Sequence, residues 1–354
     1  MAGGTGGHVF PALSLARALR AQDVDVEWLG SPRGIENRLV PEADITLHTI
    51  AVSGLRGNGA AGWLKAPLNL TRAVIQARAV IRHFKPHVVV GLGGFASGPG
   101  GLAAWLSRIP LVIHEQNAVA GLTNRVLSRL AKRTYAAFPD AFGSRAEVIG
   151  NPVREDIALL GATPRDEKTL SSRPLRLLVV GGSLGAVALN ERLAPALAAL
   201  PIEKRPQVRH QAGKDREAET AALYELNGVG AEVSPFIDDM AAAYDWADLV
   251  VCRSGALTVA ELAAAAKPAL LVPFPFAVDD HQRLNAQVLV TAGAAKCVVQ
   301  SELTVERLTD FLNELLVPCT LAEMAANARQ AAYLDATERL AKGCLAMVPL
   351  GDSA

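Results

Sequence analysis

The stretch LRLLVVGGSLGA at residues 175–186 contains the pattern that decides the fold. Its apolar run, 175–180, predicts a buried strand, and a helical pattern begins near Leu189. The glycines between them predict the first turn from strand to helix in a doubly wound domain. GGTGGH at residues 3–8 is followed by a second helical pattern, which begins near Pro11. This weak internal repeat predicts two domains of the same general build.

Short apolar runs alternate with amphipathic segments along the rest of the chain. Further strands are predicted at 24–29, 87–92, 110–114, 208–211, 249–252 and 268–273, and helices at 11–21, 70–84, 121–130, 188–200, 215–226, 258–266 and 280–291. Buried strands alternating with helices favour parallel sheets that are covered on both faces. We therefore predict an α/β protein with two Rossmann-like doubly wound domains, a linker at 151–173 and a C-terminal helix at 335–347.

The first glycine turn lacks a preceding strand. Such a turn lies at the carboxyl end of a strand, yet only two residues precede Gly3. We therefore expect that the first strand of the N-terminal domain is missing from this sequence, either through a start set too far downstream or through loss of a core strand.

Length and composition exclude several classes of protein. The 354 residues correspond to about two domains. Lys and Arg (35) balance Asp and Glu (35), which excludes a globally basic protein, so we expect no nucleic-acid partner. The four cysteines lack metal-ligand spacing, so we expect reduced thiols in a cytoplasm and no structural zinc. We also expect neither a membrane-spanning helix nor a signal peptide.

Two glycine-rich stretches of the N-terminal half could form one pocket at the carboxyl edge of its sheet. They are residues 3–8 and GLGGFASGPGG at 91–101, and neither has the GxGxxG spacing of a dinucleotide site. Their backbone N–H groups could approach an anion closely. His8 could act as a general base, although a lone histidine at a helix start is more often structural. Glu115, Gln116 and Asn117 end the next strand, where they could bind ligand hydroxyls or cap a helix.

The C-terminal half carries two further polar motifs after predicted strands. In CRSGALTVAE (252–261), Ser254 is a good N-cap, and the helix start could bind a phosphate. Glu261 could bind a ribose diol or simply be an acidic residue favoured by the helix dipole. VPFPFAVDDHQRLNA (272–286) contains a cluster that suits sugar hydroxyls: Asp279, Asp280, His281, Gln282 and Asn285. A metal site is disfavoured, because no second cluster of carboxylates or histidines is evident.

The stretch 45–114 contains no acidic residue. It carries seven cations, namely Arg56, Lys65, Arg72, Arg78, Arg82, Lys85 and Arg108. Apolar residues alternate with some of them: Leu55, Trp63, Leu64, Leu68 and Leu70. This composition suits an apolar patch rimmed by cations that docks on an anionic bilayer, and a solvated helix with a loop is the alternative.

An ordered set of motifs covers nearly the whole chain and resembles a known family. The motifs are GGTGGHVFPAL, SGLRG, GLGGFASGPGGLAAWL, HEQNAVAGLTNR, GNPVR, GGSLGA, FIDDMAAAYDWADLVVCRSGALTVAEL, VPFPFAVDDHQRLNA and AGAA. Together they are similar to the MurG family of UDP-N-acetylglucosamine–N-acetylmuramyl-(pentapeptide) pyrophosphoryl-undecaprenol N-acetylglucosamine transferases. Each motif alone is modest evidence, whereas the ordered set is highly specific.

The resemblance implies a GT-B fold, with two Rossmann-like domains facing a cleft. Residues 1–153, joined by the C-terminal helix 335–354, would bind the acceptor and the membrane, and residues 154–334 would bind UDP-N-acetylglucosamine (UDP-GlcNAc). The implied reaction moves GlcNAc to the C4 hydroxyl of the N-acetylmuramyl residue of lipid I. Inversion at the anomeric carbon gives a β-1,4 linkage and the product lipid II of peptidoglycan synthesis.

The resemblance also implies roles for the matching residues. Binding of UDP-GlcNAc is implied for Thr5, Gly6, Gly7, Asn117, Arg154, Ser183, Ile237, Ala256, Leu257, Thr258, Val259, Ala260, Glu261 and Gln282, with Ile237 on uracil, Glu261 on ribose, and Ser183 and Arg154 on the diphosphate. Binding of the acceptor pyrophosphate is implied for Gly3, Gly4, Gly93, Gly94, Gly98 and Gly100. His8 is the candidate base, and Glu115 is the second catalytic candidate. Leu184 departs from the family, which usually has Gln there, and no cofactor or metal ion is implied.

The implied partners are UDP-GlcNAc, lipid I, the anionic membrane surface and cell-wall synthesis proteins. The implied location is peripheral, on the cytoplasmic face of the inner membrane. Two alternatives stay open at this point. One is another GT-B enzyme of UDP-sugars, such as a UDP-GlcNAc 2-epimerase or a glycolipid transferase. The other is an inactive truncated form that only binds membrane or cell-wall partners.

Overall fold

The computed structural model describes residues 1–52, 59–163, 165–182, 185–277 and 280–348. The chain forms two units, Met1–Arg154 together with the segment from Leu334 onward, and Glu155–Tyr333. Among the helices of these described residues, none is both long enough and apolar enough to cross a bilayer.

The elements alternate between helix and strand along most of the chain. The helices are α1 (Gly6–Arg20), α2 (Glu36–Glu42), α3 (Gly59–Phe84), α4 (Ser97–Leu106), α5 (Leu122–Leu127), α6 (Glu155–Leu160), α7 (Glu167–Ser171), α8 (Val187–Ala198), α9 (Glu217–Leu226), α10 (Met240–Trp246), α11 (Ala256–Ala264), α12 (His281–Thr291), α13 (Val305–Leu315), α14 (Pro318–Gln330) and α15 (Ala336–Leu345). The strands are β1 (Glu27–Gly30), β2 (Thr46–Thr49), β3 (Val89–Gly91), β4 (Leu111–Glu115), β5 (Arg133–Ala136), β6 (Glu147–Val148), β7 (Arg176–Val180), β8 (Gln207–Gln211), β9 (Ala231–Ser234), β10 (Leu249–Cys252), β11 (Ala269–Leu271) and β12 (Ala295–Cys297).

The strands of the first unit form two parallel sheets, ordered β1-β2 and β3-β4-β5-β6. Met1 runs beside β3, since its amino group donates to the Val90 carbonyl at 2.8 Å and its carbonyl accepts from Leu92 N–H at 3.0 Å. The Ala2 carbonyl accepts from the indole Nε1 of Trp28 at 2.8 Å. These bonds hold the backbone that leads into Gly3 against both sheets. The expected further strand concerns residues upstream of Met1 and stays a prediction.

Helices α1 and α15 pack together in the core of the first unit. Val9, Leu13 and Ala16 recur at helical spacing on one face of α1, and all three are buried. Leu340 and Cys344 on α15 belong to the same apolar cluster. The C-terminal helix is therefore part of the first unit.

The second unit has one six-stranded parallel sheet, ordered β12-β11-β10-β7-β8-β9. Counted from β7 as its first strand, this is the order 3-2-1-4-5-6 of doubly wound domains. The direction of winding reverses between β7 and β10, which are paired in parallel. Ligands of such sheets bind outside the carboxyl ends of the strands at this switch point. The topology therefore predicts a ligand site at the turns that follow β7 and β10.

The structure confirms the predicted fold class. All seven predicted strands are present, as β1, β3, β4, β7, β8, β10 and β11. The sequence missed five strands, of which β2, β6, β9 and β12 lie at sheet edges. Edge strands are partly exposed, so they lack the continuous apolar run that signals a central parallel strand.

The predicted linker at 151–173 is wrong from Glu155 onward, where the chain belongs to the second unit. It contains α6 and α7, which pack against other helices of the second unit. Ile157 on α6 and Leu170 on α7 are buried. The charged residues that suggested a linker lie mainly on the exposed faces of these short helices, which direct only one apolar side chain each into the core.

A buried carboxylate binds three arginines at the amino ends of β7 and β10. Asp248 accepts from the Arg165 guanidinium at 2.7 Å, from the Arg173 guanidinium at 2.7 and 2.8 Å, and from the Arg176 backbone N–H at 2.9 Å. Burial raises the pKa of Asp248, but hydrogen bonds and charge from Arg173 and Arg165 outweigh it and leave the pKa below its usual value.

Candidate active site

The turn before α1 lies against the turn after β3 in the first unit. A side chain on Gly94 would overlap the backbone of Gly3, and one on Gly93 would overlap the imidazole ring of His8. Both residues also have positive φ angles, +100° for Gly93 and +82° for Gly94. Thr5 Oγ1 lies 3.4 Å from Nδ1 of His8. The structure thus brings the two glycine turns and His8 together.

The start of α1 offers backbone donors at this place. Thr5 is the N-cap with extended backbone, and α1 runs for 15 residues from Gly6. The first N–H groups of a helix, here those of Gly6 and Gly7, have no acceptor within the helix and carry partial positive charge. An anionic group could bind there.

Glu36 lies directly behind the first turn, and no local sequence pattern predicted its role. Its carboxylate accepts from Gly4 N–H at 2.9 Å, from Ser31 N–H at 3.2 Å and from Ser31 Oγ at 2.7 Å. Burial raises the pKa of Glu36, but these hydrogen bonds outweigh it and leave the pKa below its usual value. The Gly4 amide N–H is therefore bonded within the protein.

Glu115 is buried at the end of β4 and is fully engaged by its own loop. One carboxylate oxygen accepts from the backbone and side chain of Asn117, at 3.0 and 3.3 Å. The other accepts from Gly121 N–H at 3.2 Å and from Asn124 Nδ2 at 2.9 Å. Four donors therefore bind the Glu115 carboxylate, which holds this loop in place. A carboxylate that acted as a catalytic base would have to give up some of these hydrogen bonds.

Half of the second glycine stretch belongs to helix α4 rather than to a loop. Gly98 and Gly100 lie in the first turn of α4. A side chain on Gly100 would overlap Met1 and Leu29, so this glycine serves close packing inside the unit. The expectation of a loop at Gly98 and Gly100 is therefore wrong, because the helix begins at Ser97, and their contact with the acceptor stays a prediction.

Arg154 and the loop before it lie near the same edge of the first unit. The guanidinium of Arg154 stacks 5.2 Å from the ring centroid of Phe10 on α1. Asn151 Nδ2 donates to the Gln116 carbonyl at 3.1 Å, and the ring of His114 bonds the Gly150 carbonyl at 2.9 Å. Burial lowers the pKa of His114 to about 4, so its ring is neutral and donates this bond through Nε2.

In the second unit, Gln211 binds the glycine turn that follows β7. Its Oε1 accepts from Gly182 N–H at 2.9 Å, and its Nε2 donates to the Gly182 carbonyl at 2.9 Å. The same Nε2 donates to the Pro235 carbonyl at 2.9 Å. Gln211 therefore ties this turn to the loop that contains Ile237, which is half-buried. The predicted contact Ser183 and the departure Leu184 lie outside the described residues.

Helix α11 begins directly after β10 at the switch point. Its N-cap is Gly255 rather than the expected Ser254, and its residues Ala256, Leu257, Thr258, Val259 and Ala260 precede Glu261. Glu261 is buried in the second turn and accepts from the Tyr244 hydroxyl at 3.2 Å. Burial and the charge of Glu261 raise the pKa of Cys252 to about 12, so its thiol is no nucleophile at neutral pH.

Helix α12 follows β11 and carries the other polar motif. Gln282 Oε1 accepts from the Phe274 backbone N–H at 2.9 Å, and Asn285 Nδ2 donates to the Ser254 carbonyl at 3.3 Å. Asp280 is the N-cap of α12 and pairs with Arg283. Asp279 lies outside the described residues. Over the described ranges, no group of three or more His, Cys, Asp and Glu residues could hold a metal ion.

One face of α3 in the first unit is exposed and mixes apolar residues with cations. Leu68, Arg72, Ile75 and Arg82 recur at helical spacing, and all are exposed, Leu68 by 73% and Ile75 by 64%. Trp105, Leu106 and Arg108 are exposed at the end of α4, which packs against α3. Leu55, Arg56, Trp63, Leu64 and Lys65, which the sequence places in this patch, lie outside the described side chains.

Two family models match the chain, one in each unit. The glycosyltransferase family 28 N-terminal domain matches residues 1–136, and the glycosyltransferase family 28 C-terminal domain matches residues 176–340. The chain therefore belongs to glycosyltransferase family 28.

Comparison with individual relatives assigns the chain to one group of transferases within this family. The chain is 70% identical, over 98% of its length and 95% of the relative's, to the UDP-N-acetylglucosamine–N-acetylmuramyl-(pentapeptide) pyrophosphoryl-undecaprenol N-acetylglucosamine transferase of Chromohalobacter salexigens. It is 54% identical to the transferase of the same name from Alkalilimnicola ehrlichii, over 98% and 97% of the two chains. The crystal structure of Acinetobacter baumannii MurG matches with a TM-score of 0.83 and 44% identity, covering 98% of both chains. These findings confirm the resemblance to the MurG family and the GT-B fold.

Proposed function

We propose that the protein transfers GlcNAc from UDP-GlcNAc to the C4 hydroxyl of the muramyl residue in lipid I, forming lipid II. The observation that carries this proposal is the 70% identity to a curated transferase over 98% of the chain. The doubly wound second unit supports it, because the ligands of such sheets bind at the switch point, here between β7 and β10.

UDP-GlcNAc binds to the second unit in this proposal. The diphosphate lies at the turn after β7 and at the start of α11, where backbone N–H groups stabilise the charge that develops on the leaving UDP. Ile237 contacts uracil and Glu261 accepts from the ribose hydroxyls. Gln282 contacts the sugar. The resemblance also assigns donor contacts to residues of the first unit, namely Thr5, Gly6, Gly7, Asn117 and, for the diphosphate, Arg154.

Lipid I binds to the first unit. Its pyrophosphate lies against the glycine turns before α1 and after β3, beside the amino end of α1, whose partial positive charge favours an anion. His8 takes the proton from the C4 hydroxyl as the hydroxyl oxygen attacks the anomeric carbon and the bond to UDP breaks. Glu115 serves as a loop anchor that positions Asn117, rather than as a second base.

A transfer assay tests the proposed reaction. Radiolabelled UDP-GlcNAc and a lipid I analogue should give labelled disaccharide product together with UDP. Absence of product would contradict the proposal, and conversion of UDP-GlcNAc without any acceptor would favour an epimerase instead.

Glu261→Ala is expected to weaken UDP binding, because the ribose loses a buried carboxylate acceptor. A charged hydrogen bond contributes about 1.5–3 kcal/mol, so affinity should fall by about tenfold or more. Calorimetry with UDP and 2′-deoxy-UDP measures the effect. The wild-type protein should prefer UDP, and the variant should bind both nucleotides equally.

Tyr244→Phe provides the matched control, since it removes the hydroxyl that bonds Glu261 but keeps the carboxylate. It should retain the preference for UDP over the deoxynucleotide. Unchanged UDP affinity in Glu261→Ala would reject the ribose role.

The exposed face of α3 supports docking on the anionic cytoplasmic surface of the inner membrane. Apolar side chains there can enter the interface, while arginines contact the lipid headgroups. Peripheral attachment of this kind would bring the first unit to the lipid-linked acceptor. Cell-wall synthesis proteins remain expected partners through the resemblance alone.

Arg72→Glu is expected to weaken binding to phosphatidylglycerol vesicles by at least about fivefold, because each surface cation contributes about 1 kcal/mol. Sedimentation with vesicles at several salt concentrations measures it, and raised salt should weaken binding of the wild-type protein. Lys168→Glu is the control, because it makes the same change in net charge at an exposed position of the second unit. Equal losses in both variants, or salt-independent binding, would argue against this surface.

A further inference from the structure

Glu36 is a fully buried carboxylate that accepts a backbone N–H at each of its two oxygens. Its exposed fraction is 0%, and one oxygen accepts from Gly4 N–H. The other oxygen accepts from Ser31 N–H and lies 2.7 Å from Ser31 Oγ, whose single proton is shared with the Arg33 carbonyl at 2.8 Å. A carboxylate can accept at both oxygens, whereas an amide offers one acceptor and would place an NH₂ group against a donor. The site therefore fits the ionised carboxylate and not its neutral isostere.

The backbone packs closely around the Glu36 side chain at three glycines. Side chains on Gly3 or Gly34 would overlap the carboxylate, and one on Gly30 would come within 3.1 Å of its Cγ. The location of the Glu36 side chain and the path of the Gly3–Gly4 backbone therefore determine each other.

The same backbone continues into the proposed acceptor site. Gly3 contacts Gly94, and the His8 ring lies against Gly93 in the adjoining turn. A shift of the Gly3–Gly4 backbone would therefore move the turn after β3, the start of α1 and the ring of His8 together.

We infer that Glu36 is a positioning residue for the attack by the acceptor hydroxyl. Through its bond to Gly4 N–H, Glu36 holds His8 and the start of α1 in place. The inference rests on the proposed function, and it adds a residue that has no contact with either substrate. A base must lie within hydrogen-bond reach of the hydroxyl it deprotonates, so a small displacement of the loop costs rate.

Glu36→Gln tests this role, with Ser31→Ala as the matched control. The control removes one bond to the same carboxylate, from Ser31 Oγ, but leaves the bond to Gly4. We expect Glu36→Gln to lower kcat/KM for a lipid I analogue by about tenfold or more, and Ser31→Ala to lower it by less than about threefold. UDP affinity should stay within about twofold in both variants.

Nuclear magnetic resonance of the imidazole groups gives a second readout. The chain has seven histidines, and the His8 signal is assigned by its loss in His8→Gln. Glu36→Gln should move the His8 signal, whereas Ser31→Ala should leave it in place. Glu36→Asp retains the negative charge on a side chain one methylene shorter, so it should be more active than Glu36→Gln. If Glu36→Gln does not fold, Glu36→Asp is compared with Ser31→Ala instead.

Equal kinetics in Glu36→Gln and Ser31→Ala would overturn the inference, and so would an unmoved His8 signal. A parallel loss of UDP affinity would also overturn it, because it would indicate general damage. A wild-type protein without transfer activity would contradict the proposed function instead, and the His8 signal would still test the positioning role.

Discussion

Replacement of His8 by glutamine is expected to lower kcat for transfer by about 10²–10⁴-fold, the usual contribution of a general base. Glutamine can still form a hydrogen bond near Thr5, but it cannot take the proton from the attacking hydroxyl. UDP affinity should stay within about twofold, because His8 acts on the acceptor hydroxyl in the proposed arrangement and has no assigned contact with the nucleotide. Steady-state kinetics with saturating acceptor, together with calorimetry of UDP binding, measure both quantities.

His87→Gln is the control for this substitution. His87 is exposed, and it precedes the amino end of β3, whereas His8 lies by the turn that follows that strand. Its replacement should leave kcat unchanged. A loss in His8→Gln smaller than about tenfold would assign His8 a structural role, with proton removal by another group.

Asp248→Asn is expected to cost the second unit about 3 kcal/mol of unfolding free energy. Loss of one partner from a buried ion pair costs about 3–5 kcal/mol, and the lower end applies because Arg165 and Arg173 remain 22% and 23% exposed. Urea unfolding followed by Trp246 fluorescence measures this change, since the ring contacts Arg176 and Arg209 in the same region.

Glu232→Gln is the control, because Glu232 pairs with Arg209 at the surface and its side chain is 70% exposed. Such a pair contributes at most about 1 kcal/mol, so the unfolding midpoint should hardly change. Similar losses in Glu232→Gln and Asp248→Asn would show that the buried network contributes no more than a surface pair.

The contribution of the Asp248 network to stability should also depend on pH. The folded pKa of Asp248 lies below the ordinary value of about 3.9, so the ionised carboxylate stabilises the fold above that pH. This contribution is lost as the pH falls through the folded pKa. We therefore expect stability of the wild-type second unit to decline below about pH 4, and that of Asp248→Asn to decline less over the same range.

The fold could be predicted from sequence wherever a local pattern carried it. Apolar runs identified every central strand except β5, and glycine-rich stretches located the turns before α1 and after β7. Four edge strands, β2, β6, β9 and β12, could not be found in this way, because their burial depends on neighbours that lie far away in the chain. The prediction of a linker at 151–173 was wrong for a related reason, since single buried apolar residues in α6 and α7 give no periodic signal.

The candidate site shows the same limit at the level of side chains. The motifs placed His8 and Gly93 in glycine-rich turns, and the structure brings them together. Nothing local pointed to Glu36 or Gln211, which bind glycines 32 and 29 residues away in the chain. Such partners follow from the path of the backbone, which a single sequence does not display.

The sheet of the second unit separates two kinds of residue along its strands. The Asp248 network lies at the amino ends of β7 and β10, and the turns proposed to bind UDP follow their carboxyl ends. Substitutions at sites that share no partners usually combine additively. Substitutions that stabilise the Asp248 network and substitutions that alter nucleotide preference can therefore be selected separately. When both sets are combined in one protein, each should keep its effect.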